Sequence, residues 1–348
     1  MTNWGFPDFD AHEGVHLFTD PASGLQAVIA VHSTHLGPAA GGARFWHYAT
    51  PALAITDALR LSRGMSYKNA MAGLALGGGK GVVLAAKQGD VITTAQLEAF
   101  GRAVESLGGR YVTAEDVGMS EERMKVIATQ TRYVSGLPVA SGAAGGDPGP
   151  YTAHGVYLGV KAAAKRGLGA TDMKGVRVAI QGVGSVGGGL AKLLAKDGAV
   201  LTIADVNQAR AEAMAAELGA SVASADEILF ADVDLVSPNA LGAVLTADSI
   251  QRLKAKVVAG GANNQLATRE DGARVAEAGI LYAPDYVINA GGIIIVGLEY
   301  LGQGDEAEVM ARIAKIPERL EQVWQRSSET GHPASDVADE IAQGLIGR

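Results

Sequence analysis

The chain has 348 residues, enough for two domains at roughly 100–200 residues each. Its 48% hydrophobic and 19% charged residues are the composition of a globular protein, and a net charge of −8 repels nucleic acid and anionic lipid alike. Cysteine is absent, which excludes disulfides, thiolate metal sites and a cysteine nucleophile.

The first residues carry acids and no basic segment leading into an apolar stretch, and no apolar run reaches the ~18–20 residues of a membrane span. A soluble cytoplasmic protein is expected, with no membrane and no nucleic acid among its partners. Residues 25–32 (LQAVIAVH) are β-branched and apolar and predict a strand. Thr50-Pro51 then offers a cap and a first-turn proline ahead of Leu53, Ala54, Ala58, Leu61 and Met65 at helical spacing. A second helix fits 93–107, with Thr93 and Gln96 in capping-box positions and Gly108-Gly109 as the stop, and 110–113 returns as a strand.

Residues 141–150 read SGAAGGDPGP, four glycines and two prolines in ten positions. The domain boundary is expected here, and with it a hinge. A helix over about 152–166 follows, then short strands at 176–181, 200–205, near Ala220, 233–237, 256–260 and 279–282 with helical crossovers, which predicts a doubly wound parallel sheet. The charged last 25 residues read as helix.

The first of these strands runs directly into Gly182-Val183-Gly184-Ser185-Val186-Gly187 and then a helix, the G-x-G-x-x-G arrangement in the context it requires. Its glycines permit a tight turn and close approach of a pyrophosphate to a helix N-terminus. The second strand ends in Asp205, about 20 residues on, where a carboxylate accepts hydrogen bonds from ribose hydroxyls and repels a 2'-phosphate, so NAD is expected rather than NADP.

In the first domain Gly77-Gly78-Gly79 precede Lys80 and Gly81, and Lys68 lies upstream in RGMSYKNA. Three glycines before a lysine suggest an ammonium held close to a backbone turn and free to touch a small ligand. The run does not match a P-loop, because Gly81 stands where Ser or Thr would bind magnesium. Taken singly, either lysine also reads as a solvated surface charge. The seven histidines have no metal-ligand spacing, so no metal is expected. Trp4, Trp46 and Trp324 read as packing or interface residues.

The runs RGMSYKNAMAGLALGGGKGVV, YVTAEDVG (111–118), DPGPYTAHGVYLGVKAA, YAPDYVINAGG (282–292) and GPAAGGARFW (37–46) together resemble the leucine/valine/phenylalanine branch of the Glu/Leu/Phe/Val amino-acid dehydrogenase superfamily. The resemblance spans about residues 14–300. It implies an α/β fold with an N-terminal substrate-binding and catalytic domain (1–145), a C-terminal Rossmann domain (146–324), a cleft between them, and a C-terminal helix (about 325–348) packing back on the first. It also implies Lys80 and Asp116 as catalytic residues and Lys68 on the substrate carboxylate, with Asn263 near that carboxylate and Asn264 as the other register. Gly41, Gly42, Met65, Ala40, Ala114, Ile293 and Val296 would line the substrate site. For the dinucleotide it adds Val206, Thr152, Asn239, Ala240, Gly261, Ala262 and Asn289 to the glycine turn and Asp205. Two positions depart from the family pattern: Ala40 stands where leucine is common, and Asn239 where cysteine is common.

The activity implied is NAD-dependent, reversible oxidative deamination of an apolar, branched-chain aliphatic L-amino acid by a homo-oligomer. An aromatic substrate, another NAD oxidoreductase on the same architecture, and a non-catalytic NAD sensor are the alternatives the residues leave open.

Overall fold

In the computed structural model, residues 4–137 and 147–348 are described. Residues 14–33 form an antiparallel hairpin of β1 (Gly14–Asp20) and β2 (Leu25–Ser33), registered from Gly14↔Val31 to Asp20↔Leu25. Then follow β3 (Ala39–Ala40), β4 (Ala43–Trp46), α1 (Pro51–Met71), β5 (Gly77–Leu84), α2 (Thr94–Ser106), β6 (Tyr111–Val112) and α3 (Glu121–Ala128). The strands make one sheet in the order β1-β2-β5-β3-β6, with β4 also pairing β5. β2 is buried on both faces and its side chains alternate between two cores. Ala27, Ile29 and Val31 face the layer that includes Phe100, Val104 and Ile127, while Val28 and Ala30 face Ala54, Ala58 and Leu59 of α1. The Thr93 cap of α2 forms the expected capping box with Gln96.

The second unit opens with α4 (Gly149–Leu168) and alternates β7 (Arg177–Gln181), α5 (Ser185–Lys196), β8 (Val200–Ala204), α6 (Gln208–Leu218), β9 (Ser221–Val222), β10 (Leu235–Pro238), α7 (Ala247–Arg252), β11 (Val257–Val258), α8 (Glu270–Glu277) and β12 (Leu281–Tyr282). All its strand pairs are parallel, in the order β12-β11-β10-β7-β8-β9. This is the doubly wound sheet the sequence predicts. The order reverses between β10 and β7, and the crevice outside their carboxyl ends is where such sheets bind ligands.

Beyond α9 (Asp285–Ile288) come α10 (Gly291–Leu301), α11 (Glu306–Ile313), α12 (Ile316–Thr330) and α13 (Ala334–Leu345). The chain divides into one unit of residues 1–146, 293–306 and 342–348 and another of 147–292 and 307–341. This differs from a single return over 325–348. Residues 293–306 join the first unit because Gly297, without a side chain, leaves space for Leu74 and Leu76, while Glu299 accepts the N–H groups of Gly136 (3.0 Å) and Leu137 (3.2 Å). Trp324 of α12 instead packs in the second unit and donates its indole N–H to Tyr282 O at 2.8 Å. Of the chain's last residues, Arg348 returns to the first unit, donating to the carbonyls of Asp10, Ala11 and His32. Residues 141–146 of the expected hinge lie outside the described residues.

Candidate functional site

Lys80 lies in the middle of β5 and not beside a turn: Gly77, Gly78, Gly79 and Gly81 are strand residues without positive φ. Their glycines serve close packing. A Cβ on Gly78 would collide with the Ser66 amide and lie 2.5 Å from Ser62 O, both backbone atoms of α1, and one on Gly81 would lie 2.9 Å from the Phe100 ring. The alternation of a strand then puts Lys80 on the α1 face with Gly78. Gly41 and Gly42 are explained in the same way. A Cβ at Gly41 would collide with Gly79 O and lie 3.1 Å from Met65 Cγ; one at Gly42 would lie 2.9 Å from Asp116 Cβ.

Lys80 is 6% exposed, and its Nζ donates to Asp116 Oδ2 at 2.5 Å. Arg44 of β4 donates from Nε to the same oxygen at 3.3 Å and from a terminal nitrogen to Asp57 Oδ2 at 2.9 Å, and the Tyr48 hydroxyl donates to Asp57 at 2.5 Å. Burial, with Arg44 in support, pushes the Lys80 ammonium below its ordinary pKa despite the pull of Asp116. Burial works in the opposite direction on Asp116, but Lys80 and Arg44 outweigh it and hold the carboxyl below its usual value. A buried amine donating at short range to a half-buried carboxylate, with the amine's proton affinity lowered, suits acid–base chemistry.

Gly41, Gly42, Met65, Lys80 and Asp116 are thus brought together. Ala40 is next in the chain, paired in register with Gly78 and Val112, and the Ala114 carbonyl accepts from Ala43 at 2.9 Å. Lys68 is half-buried in the last turn of α1, three residues beyond Met65 and so on the same side of that helix. Ile293 and Val296 are half-buried on the part of α10 that belongs to this unit. Asn263, expected near the same carboxylate, belongs to the second unit. Sequence reasoning missed Arg44, Asp57 and Tyr48. The only signal was a single charge, two residues after Gly41-Gly42, in an otherwise apolar strand.

In the second unit β7 ends at Gln181 and turns at Gly182, whose φ of +85° only glycine adopts freely. α5 begins at Ser185, and over Gly184 the space is open, since a Cβ there would meet nothing within 4 Å. Asp205 at the end of β8 accepts Val183 N–H (2.9 Å) through Oδ2 and Asn207 N–H (2.8 Å) through Oδ1, with the Arg210 guanidinium at 3.6 Å. Burial acts against the ionised form, but these contacts prevail and hold Asp205 ionised below the usual range. Val206 beside it is 92% exposed. On the other side of the turn Asn239 accepts from Gly261 N–H at 2.8 Å and donates to the Ser237 carbonyl at 2.9 Å, and a Cβ on Gly182 would lie 2.8 Å from Ala240 Cβ. At the departure from the family's cysteine, the asparagine clips β10 to the loop after β11. Val186 packs at Gly261, and Ala262 N–H donates to Pro238 O at 3.0 Å.

Asn289 donates to Asn263 Oδ1 at 2.8 Å and to Gly261 O at 3.2 Å, while Asn264 takes a positive φ of 53° and accepts Ala243 N–H through its carbonyl. The register therefore favours Asn263 as the residue beside Asn289. Asn289 is 3% exposed, and its Oδ1 has no partner among the described residues. Thr152 Oγ1 donates to Pro148 O at 2.9 Å and would lie 2.6 Å from a Cβ on Gly292. Among the described residues no group of three or more His, Asp or Glu side chains could hold a metal ion, and no helix is long and apolar enough to cross a membrane.

Residues 12–133 match the Glu/Leu/Phe/Val dehydrogenase dimerisation domain, and residues 202–344 match the Glutamate/Leucine/Phenylalanine/Valine dehydrogenase domain. The chain is 46% identical to the leucine dehydrogenase of Thermoactinomyces intermedius, covering 96% of this chain and 91% of that protein. It is 45% identical to the valine dehydrogenase of Streptomyces virginiae over 97% and 94% of the two chains. The crystal structure of L-tryptophan dehydrogenase from Nostoc punctiforme superposes with a TM-score of 0.86 at 38% identity, covering 97% and 96%.

Proposed function

The chain belongs to the Glu/Leu/Phe/Val dehydrogenase family, and we propose that it is a homo-oligomeric, cytoplasmic, NAD-dependent amino-acid dehydrogenase that oxidatively deaminates branched-chain aliphatic L-amino acids. The observation that carries the reading is the Lys80–Asp116 contact, a buried amine of the glycine-rich strand 2.5 Å from a half-buried carboxylate.

The second unit fits a dinucleotide: an open space over Gly184, a helix N-terminus at Ser185, and the Asp205 carboxylate at the end of the next strand. Gly182, Val183, Gly184, Ser185, Val186 and Gly187 would hold the pyrophosphate, Asp205 and Val206 the adenosine side, and Asn239, Ala240, Gly261, Ala262, Asn289 and Thr152 the nicotinamide side. The anionic Asp205 also neutralises Arg210, a nearby cation that would otherwise welcome a 2'-phosphate. Bound NAD supplies the hydride acceptor.

In the first unit the Lys68 ammonium pairs with the substrate carboxylate. Asp116, ionised, takes a proton from the substrate ammonium so that the nitrogen lone pair can assist loss of hydride from the α-carbon. The resulting iminium is attacked by water, and Lys80 removes that water's proton, which requires the neutral amine that burial favours. Asp116 then returns a proton to the amine, the carbon–nitrogen bond breaks as the carbinolamine hydroxyl gives up its proton to the departing nitrogen, and ammonium and the 2-oxo acid leave, with the proton held on Lys80 released to water.

Ala40, Ala114, Ile293 and Val296 are apolar, so a charged substrate side chain would be buried unpaired at a cost of several kcal/mol. Differences among apolar substrates are graded, about 1–3 kcal/mol per methylene. We therefore expect kcat/KM with NAD to be higher for leucine, valine and isoleucine than for phenylalanine and tryptophan, and negligible for glutamate. A higher value for phenylalanine or tryptophan than for leucine would show that the room left by Ala40 sets the specificity, and equal use of NADP would reject the role given to Asp205.

A further inference from the structure

Two cations meet one oxygen of Asp116, yet the reaction proposed above uses only one of them. Lys80 must give up its charge during turnover, and at that moment a carboxylate counterbalanced by Lys80 alone would stand unpaired in a site only about one-fifth open to solvent. Arg44 is 3.3 Å from the same Oδ2 and does not lose its proton in the working pH range. Its other arm is fixed by Asp57 of α1 at 2.9 Å, and Asp57 is itself fixed by the Tyr48 hydroxyl at 2.5 Å. The guanidinium is three-quarters buried and has no freedom to drift into water.

We infer that Arg44, braced by Asp57 and Tyr48, is a positioning residue for the reaction: a permanent cation that keeps Asp116 oriented, and ionised before it takes and after it returns the substrate's proton, while Lys80 cycles between its charged and neutral forms. The inference rests on the acid–base roles proposed for Lys80 and Asp116. Among the described residues, the charged and titratable groups around the Lys80–Asp116 pair include Arg44 on β4, Asp57 on α1, Tyr48, which bonds to Asp57, and the Tyr111 hydroxyl on β6. Of these, Arg44 lowers the proton affinity of Lys80 and Asp57 raises it. The two therefore act with opposite signs on one proton, which a merely structural brace would not do.

The test is the pH dependence of leucine deamination in wild type, Arg44→Gln and Asp57→Asn. In Arg44→Gln, the limb on which rate rises with pH should move at least about half a unit to higher pH, with kcat at neutral pH down about tenfold or more and KM for leucine within about threefold. In Asp57→Asn the same limb should move to lower pH, and this second variant decides the matter if the first does not fold. A limb that stays at its wild-type position in both folded variants overturns the proposal, whatever the loss of rate. Acylation of Lys80, followed by peptide mass spectrometry at graded pH, reads the same proton without turnover. Opposite shifts of its midpoint in an inactive protein would uphold Arg44 and sink the deamination reading, whereas unshifted midpoints and rate limbs in an active enzyme would do the reverse.

Discussion

Two glycine-rich runs of nearly equal length do opposite physical work in this molecule. In 182–187 the first two glycines are a matter of backbone freedom and ligand access: Gly182 has a positive φ, and a side chain at Gly184 would project into open space, whereas Gly187 serves packing, since a Cβ there would collide with Gly182 O. In 77–81 every residue is ordinary strand, and glycine is there because the Ser33 carbonyl, α1, Tyr111 and Phe100 come too close for a Cβ. The first run leaves room for something that arrives; the second removes room so that Lys80 is dry. Glycine content alone does not distinguish a cradle from a press.

The largest test of this contrast is chemical. Lys80→Ala should lower turnover by about 10²–10⁴-fold, the usual contribution of a general acid–base group, while NADH binding stays within about threefold, because the residues proposed to hold it are in the other unit. Steady-state rates and NADH fluorescence titration check both halves. Loss of NADH binding in parallel would contradict the division of labour.

Next in size is a matched pair of alanines. Gly78→Ala forces a carbon against the α1 backbone and should cost at least about 2–3 kcal/mol of stability, the range for overpacking or more. Gly184→Ala should change stability by less than about 0.5 kcal/mol yet weaken NADH binding, since its Cβ meets no protein atom. Urea denaturation of the two variants compares them directly, and equal stability losses would remove the distinction between the runs.

A smaller effect sharpens the picture of the α1 face. His12 accepts Asp10 N–H on Nδ1 (3.1 Å), so its proton is on Nε2, facing Leu59 O (3.1 Å) and Ser62 Oγ (3.0 Å) of α1. Burial, and then repulsion from His32, lower it from 6.5 to about 4. Between those two values the unfolded chain binds a proton that the folded chain refuses, so stability is complete above pH 6.5 and is lost as pH falls toward 4. His12 alone should contribute about 2 kcal/mol of destabilisation between pH 7 and 5. Unfolding midpoints of wild type and His12→Gln at the two pH values measure it; an unchanged pH dependence in the variant would exclude His12 as the cause.

The second unit was legible in the sequence because its signals are local. Each strand is a short apolar run, and the turn after 176–181 carries its own glycine spacing with Asp205 at the distance set by one helix and one strand. The first unit was not, for two reasons. β5 lacks every β-propensity cue in its first half, since packing against α1 and Tyr111 outweighs propensity at Gly77–Gly81. The Arg44–Asp116 contact joins residues 72 apart in the chain, and no periodicity reports such a pair. Lys80 stands out by its glycines and, with Asp116, by family resemblance, whereas the burial of Lys80 and the second cation on Asp116 come from the fold. The uniformly apolar run 293–298 gave no sign of which unit it packs against.

The central claim is that the Lys80 site and the glycine turn serve one reaction. Its most direct measurement follows NADH absorbance in the presence of 4-methyl-2-oxopentanoate with and without ammonium. The account predicts oxidation of NADH that requires both the oxo acid and ammonium and yields leucine. NADH oxidation that is indifferent to ammonium, or no oxidation by a protein that binds NADH, would contradict it.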